Sequence, residues 1–590
     1  MSKLKASKKD VSQSFLKGAF ILTLSMIAVK LCGLAQKVLL TNLYGTLDGN
    51  YAEFGTALFS NAYEIYVPLF TLATVGFPIA VSRLVSESYA KERYNDIKQT
   101  YKVAKPFFII MGLVCFLLMI AGSFWYMNYI KSPYSLPAMM VLAPTIFFGC
   151  LVSVYRGYFE GLRNMTPTAI SEVIEAVSKI AIGVVLSYIV IYIGSNQYQT
   201  AGHIFGMTFN NTEDAYRTLV SISVAASISG ITLGSVFSFI FLRIRYALRK
   251  GDIPEEYYAN SLEAISKKET FKKMCKTALP VGIGALVMSI SGTIDATVIQ
   301  NVIHGMAVNN PEALLAEFNH VLDSEITSDP GNITIHTCIW GYYAASLTLT
   351  SLVVAVTQVF GTSAMPNVTN AYTKGNRAEL KDSMNSVLRL TTLVTFPCAF
   401  GLAVLASPIL ALVYSGNPNI STFGGEVLQV LGVSVMFMGT ITPLCSMLQG
   451  VGKVKETMYI YIFGTIAKIF ISWFFARNIE INIVGAAIGS LVSNFLMCVI
   501  AMILLVRSTK IMPDFLGSVV KPLIGAVICG ASAYLFYYVL GLHVILSIVI
   551  SAIIYLVVLL ILHTFTRGDI ERFPKGKKIV IILEKLHLIR

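Results

Sequence analysis

Apolar stretches of about 20 residues or more recur from one end of this chain to the other, separated by shorter polar segments. Fourteen such runs begin near Phe15, Tyr51, Pro106, Pro137, Pro167, Tyr216, Lys276, His336, Val387, Gly424, Thr457, Asn482, Gly517 and His543. Each is long enough, at about 1.5 Å of rise per helical residue, to cross a hydrocarbon core of roughly 30 Å. The pattern predicts an all-α polytopic membrane protein with about 14 transmembrane helices. The first run follows a basic start (Lys3, Lys5, Lys8, Lys9, Lys17), as a signal peptide would. It is too long for the apolar region of one, and "LLTNLYG" is a poor cleavage site, so it reads as an uncleaved helix.

Composition agrees. The chain has 590 residues, 55% of them hydrophobic and 13% charged, with a mean hydropathy of +0.69. That leaves too little polar sequence to coat several soluble domains. The net charge of +13 changes the picture only through its distribution. With the N-terminus inside, 38 of the 45 Lys and Arg fall in inner segments, three in outer segments (Lys131, Arg217, Arg477) and four within helices (Lys30, Lys37, Lys179, Lys468). This asymmetry places both termini in the cytoplasm. The basic surplus then reflects orientation and anionic membrane lipid, and nucleic acid is excluded as a partner. Nine cysteines are scattered singly with no C-x-x-C, so no metal site, redox pair or cofactor is expected.

Two stretches match at a fixed offset. "GYFEGLRNMTPTAISEVIEAVSKI" ends the fourth run and fills the fifth; "SMLQGVGKVKETMYIYIFGTIAKI" ends the tenth and fills the eleventh. Gly161 pairs with Gly450, Thr168 with Thr457, and Lys179-Ile180 with Lys468-Ile469. A looser pair, "VGFPIAVSRLVSESYAKERYNDIKQ" and "GTSAMPNVTNAYTKGNRAELKDS", follows the second and eighth runs. An even number of helices separates equivalent elements, so the halves run parallel, a common transporter plan with a site at the repeat interface. The expected organisation is an N-terminal lobe over 1–247, a cytoplasmic linker over 248–275 with an amphipathic helix, and a C-terminal lobe over 276–508. Two further helices over 509–566 and an amphipathic tail over 567–590 on the inner membrane surface complete it.

Charges inside the apolar runs carry the candidate chemistry. Lys30 and Lys37, seven residues apart, share a helix face, with Gly33 between them opening space. Lys30 lies near the middle of its helix, too deep to reach water easily, whereas Lys37 is nearer the outer end. An ammonium group in that position costs a few kcal/mol or more and marks a cavity or an ion pair. Glu53 and Glu64 lie in the second run, with Glu53 near the interface; Glu172, Glu175 and Lys179 lie in the fifth, Asp295 in the seventh and Lys468 in the eleventh. Glu175 and Lys179 are spaced to pair on one face. Arg83 ends the second run on the inner side. A surplus of buried cations calls for an anion that the substrate brings. Pro68, Gly76 and Pro78, then Pro280, Gly282 and Gly284, then Gly361 and Pro366 interrupt three runs and offer places to bend.

"GFPIAVSRLVSE", "RGYFEGLRNMTPTAISEVIE" and "PNVTNAYTKGN" resemble the polysaccharide-transport and stage-V-sporulation-B-like proteins of Firmicutes. These belong to the multidrug/oligosaccharidyl-lipid/polysaccharide (MOP) exporter superfamily, alongside the murein lipid II flippases. The resemblance covers nearly the whole chain. It implies two six-helix lobes around a central cavity plus two C-terminal helices. It also implies alternating access for an undecaprenyl-pyrophosphate-linked saccharide, held by cavity cations. In lipid II flippases the first helix carries two arginines in a pattern like R-x-L-G-x-x-R. Here "KLCGLAQK" puts Lys30 at the first, Gln36 at the second and Lys37 one residue late. "WGYYAASLTLTSL" lacks the cavity arginine expected early in the eighth helix, which points to a different lipid-linked saccharide or binding geometry.

The expected function is a bacterial plasma-membrane flippase for a peptidoglycan precursor or polysaccharide repeat unit, with no covalent chemistry. Lys30, Lys37, Gln36, Arg83, Lys179 and Lys468 are the expected substrate-binding residues. Glu64, Glu175 and Asp295 are the candidates for ion coupling to a cation, and membrane lipids are the surroundings. A multidrug antiporter of the same superfamily is the nearest alternative, and it would favour cavity carboxylates over lysines. A membrane saccharide polymerase or glycosyltransferase is the other, and it would need an acid/base constellation facing one side.

Overall fold

The computed structural model describes residues 15–565, apart from 48–50, 163, 210, 250, 251, 260, 311, 313–315, 317–334 and 416. The expected amphipathic tail and the basic N-terminal residues before 15 lie outside the described residues. Among the described residues, fourteen helical spans are long and apolar enough to cross a membrane. Except in the second, fourth and thirteenth runs, where a span contains more than one element, each apolar run corresponds to a single helix. The chain is an all-helical, multi-pass membrane protein.

In order, the helices of the first compact unit, Met1–Ala344, are α1 (Phe15–Tyr44), α2 (Tyr51–Thr74), α3 (Gly76–Ala90), α4 (Tyr94–Tyr129), α5 (Leu136–Gly161), α6 (Thr166–Ala201), α7 (Thr212–Leu248), the short α8 (Glu255–Ala259) and α9 (Lys267–Asn309). A two-residue hairpin, His203–Ile204 against Met207–Thr208, joins α6 to α7. Helix α10 (Ile335–Thr373) starts in the first unit and continues into the second, Ala345–Arg590. The second unit continues with α11 (Arg377–Val404), α12 (Ala406–Val413), α13 (Pro418–Gly450), α14 (Val454–Ala476), α15 (Asn482–Thr509), α16 (Lys521–Tyr534) and α17 (Val544–Ile561). Helix α9 packs against α2, α3 and α4, although the repeat counts it as the first helix of the second half.

Local sequence sets these boundaries. Asn211, Ser266 and Asn376 each cap a helix by accepting the backbone N–H of Glu213, Glu269 and Glu379, which satisfies a donor that the first turn leaves over. Gly202, at φ +68°, ends α6 in the left-handed conformation that glycine adopts without strain. The interruption in the second run is a bend at Val75 between α2 and α3. The other two proline/glycine clusters do not break their helices: α9 runs through Pro280 and α10 through Pro366. In α9 the glycine serves packing instead. A Cβ on Gly76 would come within 2.9 Å of the Gly282 Cα, so the two glycines let α3 and α9 cross backbone to backbone.

The internal repeat is visible in packing within each unit. Gly161 is the last residue of α5 and Gly450 the last of α13. A Cβ on Gly161 would meet the Ser82 carbonyl and Val85; one on Gly450 would meet the Met365 carbonyl and Val368. Ser82 and Val85 lie in one member of the looser sequence pair, Met365 and Val368 in the other. Both matches therefore describe one helix-crossing unit that occurs twice.

The polar linker is clasped to the first unit. The Asn95 side-chain amide donates to the carbonyls of Tyr258, Ser261 and Leu262, and the Ile265 N–H donates to Asp96 at 2.8 Å. Arg245 donates to both carboxylate oxygens of Asp252 at 3.0 and 3.1 Å.

Candidate functional site

Three lysines of the first unit, Lys30, Lys37 and Lys179, gather where α1, α2 and α6 meet. Two glycines set this place. A Cβ on Gly230 of α7 would come within 2.8 Å of the Gly183 Cα of α6, so α6 and α7 cross there in backbone contact. Lys179 stands one turn before Gly183 and Glu175 a turn further. On α1, Gly33 faces the same space, and the Lys179 ammonium lies 3.7 Å from where a Gly33 Cβ would stand. Lys179 thus reaches between Lys30 and Lys37, and it bears on both as a like charge.

Aromatic faces and the Glu64 carboxylate lie beside the cations. Lys37 Nζ lies 5.9 Å from the centre of the Phe59 ring and Lys179 Nζ 5.6 Å from that of Tyr63, both within cation–π range. Phe59 and Tyr63 are themselves stacked, at 5.0 Å between centroids. Glu64, beside Tyr63 on α2, acts on Lys37 electrostatically. Its carboxylate rests against Gly292 of α9, where a Cβ would crowd it at 2.6 Å, and its backbone carbonyl accepts from Thr293 at 2.6 Å. Neither Lys30 nor Lys179 forms an ion pair among the described residues.

Several expectations change. Glu175 does not pair with Lys179; it pairs with Arg156 of α5 at 3.2 Å. Glu53 is not an interfacial carboxylate but is fully buried, and the Tyr342 hydroxyl reaches it. Lys37 is half-buried while Lys30 is exposed, so the outer lysine is the more enclosed of the two, because Phe59 and Glu64 cover it. Gln36 has no exposure at all and faces Gly183. A helix turns about 100° per residue, so six residues carry Gln36 about 240° from Lys30, off the lysine face.

The remaining candidates stand apart. Arg83 is exposed on α3, four residues from Glu87, on which it acts. Asp295 is buried and accepts a hydrogen bond from the Tyr343 hydroxyl at 3.3 Å. Lys468, in the second unit, is 7% exposed. Phe59, Tyr63 and Arg156 did not stand out in the sequence. The aromatics belong to a stripe (Phe59, Tyr63, Tyr66, Phe70) at spacings of four, three and four on α2, a legible helical face. Arg156 gave no such signal. Among the described residues no group of three His, Cys, Asp or Glu is placed to hold a metal.

Known proteins match this chain along most of its length. The profile of the family described as polysaccharide biosynthesis protein matches residues 15–370, and that of MatE matches residues 341–474. The lipid II flippase MurJ of Bacillus subtilis (strain 168) is 20% identical over 469 residues, covering 78% of this chain and 77% of that one. Stage V sporulation protein B of the same organism is 22% identical over 578 residues, 96% of this chain and 99% of that one. Among solved structures, lipid II flippase MurJ in an inward closed conformation superposes with a TM-score of 0.59 at 14% identity, covering 92% of this chain and 99% of that one. An inward-facing MATE family multidrug transporter of the MOP superfamily gives 0.56 at 13%, covering 83% and 99%.

Proposed function

The chain belongs to the polysaccharide biosynthesis protein family, within the MOP exporter superfamily, and from that premise we propose that it flips an undecaprenyl-pyrophosphate-linked saccharide across the bacterial plasma membrane by alternating access. Membership makes it a transporter of the flippase type; the substrate is the part read from the site. One observation carries it. Three lysines from two helices converge, and two of them have no carboxylate partner among the described residues. Gathered like charges in a low-dielectric setting are costly unless an anion joins them. A lipid-linked pyrophosphate supplies that anion while its chain stays in the hydrocarbon.

Lysines suit this role as point charges that follow a headgroup without demanding a fixed fork geometry. Phe59 and Tyr63 hold the ammonium groups laterally, which keeps them in place when the anion is absent. Glu64 is then the carboxylate that answers Lys37 once the headgroup has left, and so the place where a cation would couple to the cycle. A cationic drug, as carried by a multidrug antiporter, would meet repulsion here. The relatives are named flippases and transporters, which supports a role without covalent chemistry. The cytoplasmic location of both termini is likewise part of the reading and rests on the 38-to-3 division of basic residues.

Depletion of the protein in its native host tests the substrate. The expected result is a lipid-linked saccharide precursor accumulating on the inner leaflet. No change in any undecaprenyl-linked pool would overturn the reading.

A further inference from the structure

We infer that Arg156 is a positioning residue that keeps Lys179 available to the anionic headgroup by holding Glu175 away from it. This rests on the headgroup reading above.

Glu175 and Lys179 are four residues apart on α6, the spacing at which a glutamate and a following lysine pair on a helix surface. Left to themselves they would neutralise each other. In the structure the Glu175 carboxylate is taken by Arg156, at 3.2 Å, from the facing end of α5. Arg156 is itself fixed: its Nε donates to the Ser171 hydroxyl at 2.9 Å and its Nη2 to the Ser238 hydroxyl at 3.5 Å. Ser238 of α7 donates in turn to the Ser171 carbonyl at 3.2 Å. Both the arginine and its carboxylate are sheltered, at 21% and 30% side-chain exposure, so the pair is not a passing surface contact. Gly234 lets α7 press against the backbone at Glu175, where a Cβ would come within 3.0 Å of the Glu175 carbonyl, and this keeps the helix from moving aside.

Lys179 forms no ion pair with Glu175, which acts on it only at longer range, and it reaches the other way. Its ammonium lies over Gly33 and beside the Tyr63 ring, in the space that Lys30 and Lys37 share. The cation of Arg156 is already anchored at Ser171 and Ser238 beside the Glu175 carboxylate, whereas the Lys179 ammonium is drawn to the Tyr63 ring, so Arg156 keeps Glu175. The arginine never needs to touch the substrate. It acts through Glu175.

The test is binding of undecaprenyl pyrophosphate to purified full-length protein in nanodiscs of neutral lipid. Arg156→Gln frees Glu175 to pair with Lys179 and is expected to weaken binding about tenfold, the effect of losing roughly one favourable charge contact. Arg156→Gln with Glu175→Gln should regain wild-type affinity, because no carboxylate remains to capture Lys179. Glu175→Gln alone and Arg156→Lys should bind as wild type. Monodisperse elution confirms folding of each, and if Arg156→Gln fails to insert, the double variant and Arg156→Lys carry the comparison. Wild-type binding by Arg156→Gln overturns the inference. So does a double variant that stays about tenfold weak, since Arg156 would then contact the ligand or only support the fold. A Lys30→Ala/Lys179→Ala variant is run alongside: if it binds as tightly as wild type, the headgroup site fails and takes this inference with it, whereas the first two results sink the inference alone.

Discussion

Gly33 offers a way to move one lysine without removing any. The Lys179 ammonium lies 3.7 Å from the position of a Gly33 Cβ, an ordinary contact distance, so Gly33→Ala leaves it in place. Gly33→Val adds two methyl groups beyond that point and forces the ammonium outward by about 3 Å, roughly two bond lengths. Two unit charges attract by about 4.2 kcal/mol at about 4 Å and by about 2.4 kcal/mol at about 7 Å when the effective dielectric is near 20. The difference, about 1.8 kcal/mol per unit of headgroup charge, is about twentyfold in affinity before partial rescreening by water reduces it. A five- to twenty-fold weakening of undecaprenyl pyrophosphate binding is therefore expected for Gly33→Val, and less than about twofold for Gly33→Ala. The helix itself is not harmed, since valine is a somewhat better helix former than glycine. Equilibrium binding in nanodiscs, with membrane levels compared, measures it. Wild-type affinity in Gly33→Val would refute the placing of Lys179 at the headgroup.

Three further outcomes follow from the same geometry. Gln36→Leu should leave binding unchanged and stability equal or higher, because Gln36 is buried without a hydrogen-bond partner among the described residues; a lost activity would put it back at the site. Gly161→Ala should cost about 1–3 kcal/mol of stability by overpacking against Val85 and Ser82, and Gly450→Ala, whose nearest contacts are at 3.2 Å, should cost less; thermal melts of the two rank them. A single cysteine at position 260, in a background free of the nine native cysteines, should resist a membrane-impermeant thiol probe in intact cells, and labelling from outside would reverse the topology.

Much of the fold could be read because membrane spans announce themselves. Long apolar runs need no tertiary knowledge, and the repeated glycines Gly161 and Gly450 mark crossings that both units share. Two of the three proline and glycine clusters misled because a glycine in a membrane helix also serves close packing; Gly282 meets Gly76 rather than hinging α9. At the site, the shared face of Lys30 and Lys37 followed from helical geometry, whereas Gln36, expected among the binding residues, is buried against Gly183 in the structure. The partner of Glu175 did not follow from that geometry. Sequence spacing favours the neighbour four residues on, whereas Arg156 arrives from another helix, near the inner end of α5, where a basic residue reads as an ordinary positive-inside anchor. The enclosure of Lys37 was equally hidden, because depth along a helix says nothing about which rings pack over it.

Translocation in proteoliposomes tests most directly whether the lysine cluster carries an anionic lipid headgroup. An undecaprenyl-pyrophosphate-linked saccharide is loaded on one leaflet and its appearance on the other is followed for the wild type and for the Lys30→Ala/Lys37→Ala/Lys179→Ala protein, both reconstituted at equal density. The wild type should move the lipid and the triple variant should not, while eluting and melting as a folded protein, since removing like charges from a membrane helix relieves a cost. Equal rates in the two would contradict the central claim and leave the lysines as structural residues only.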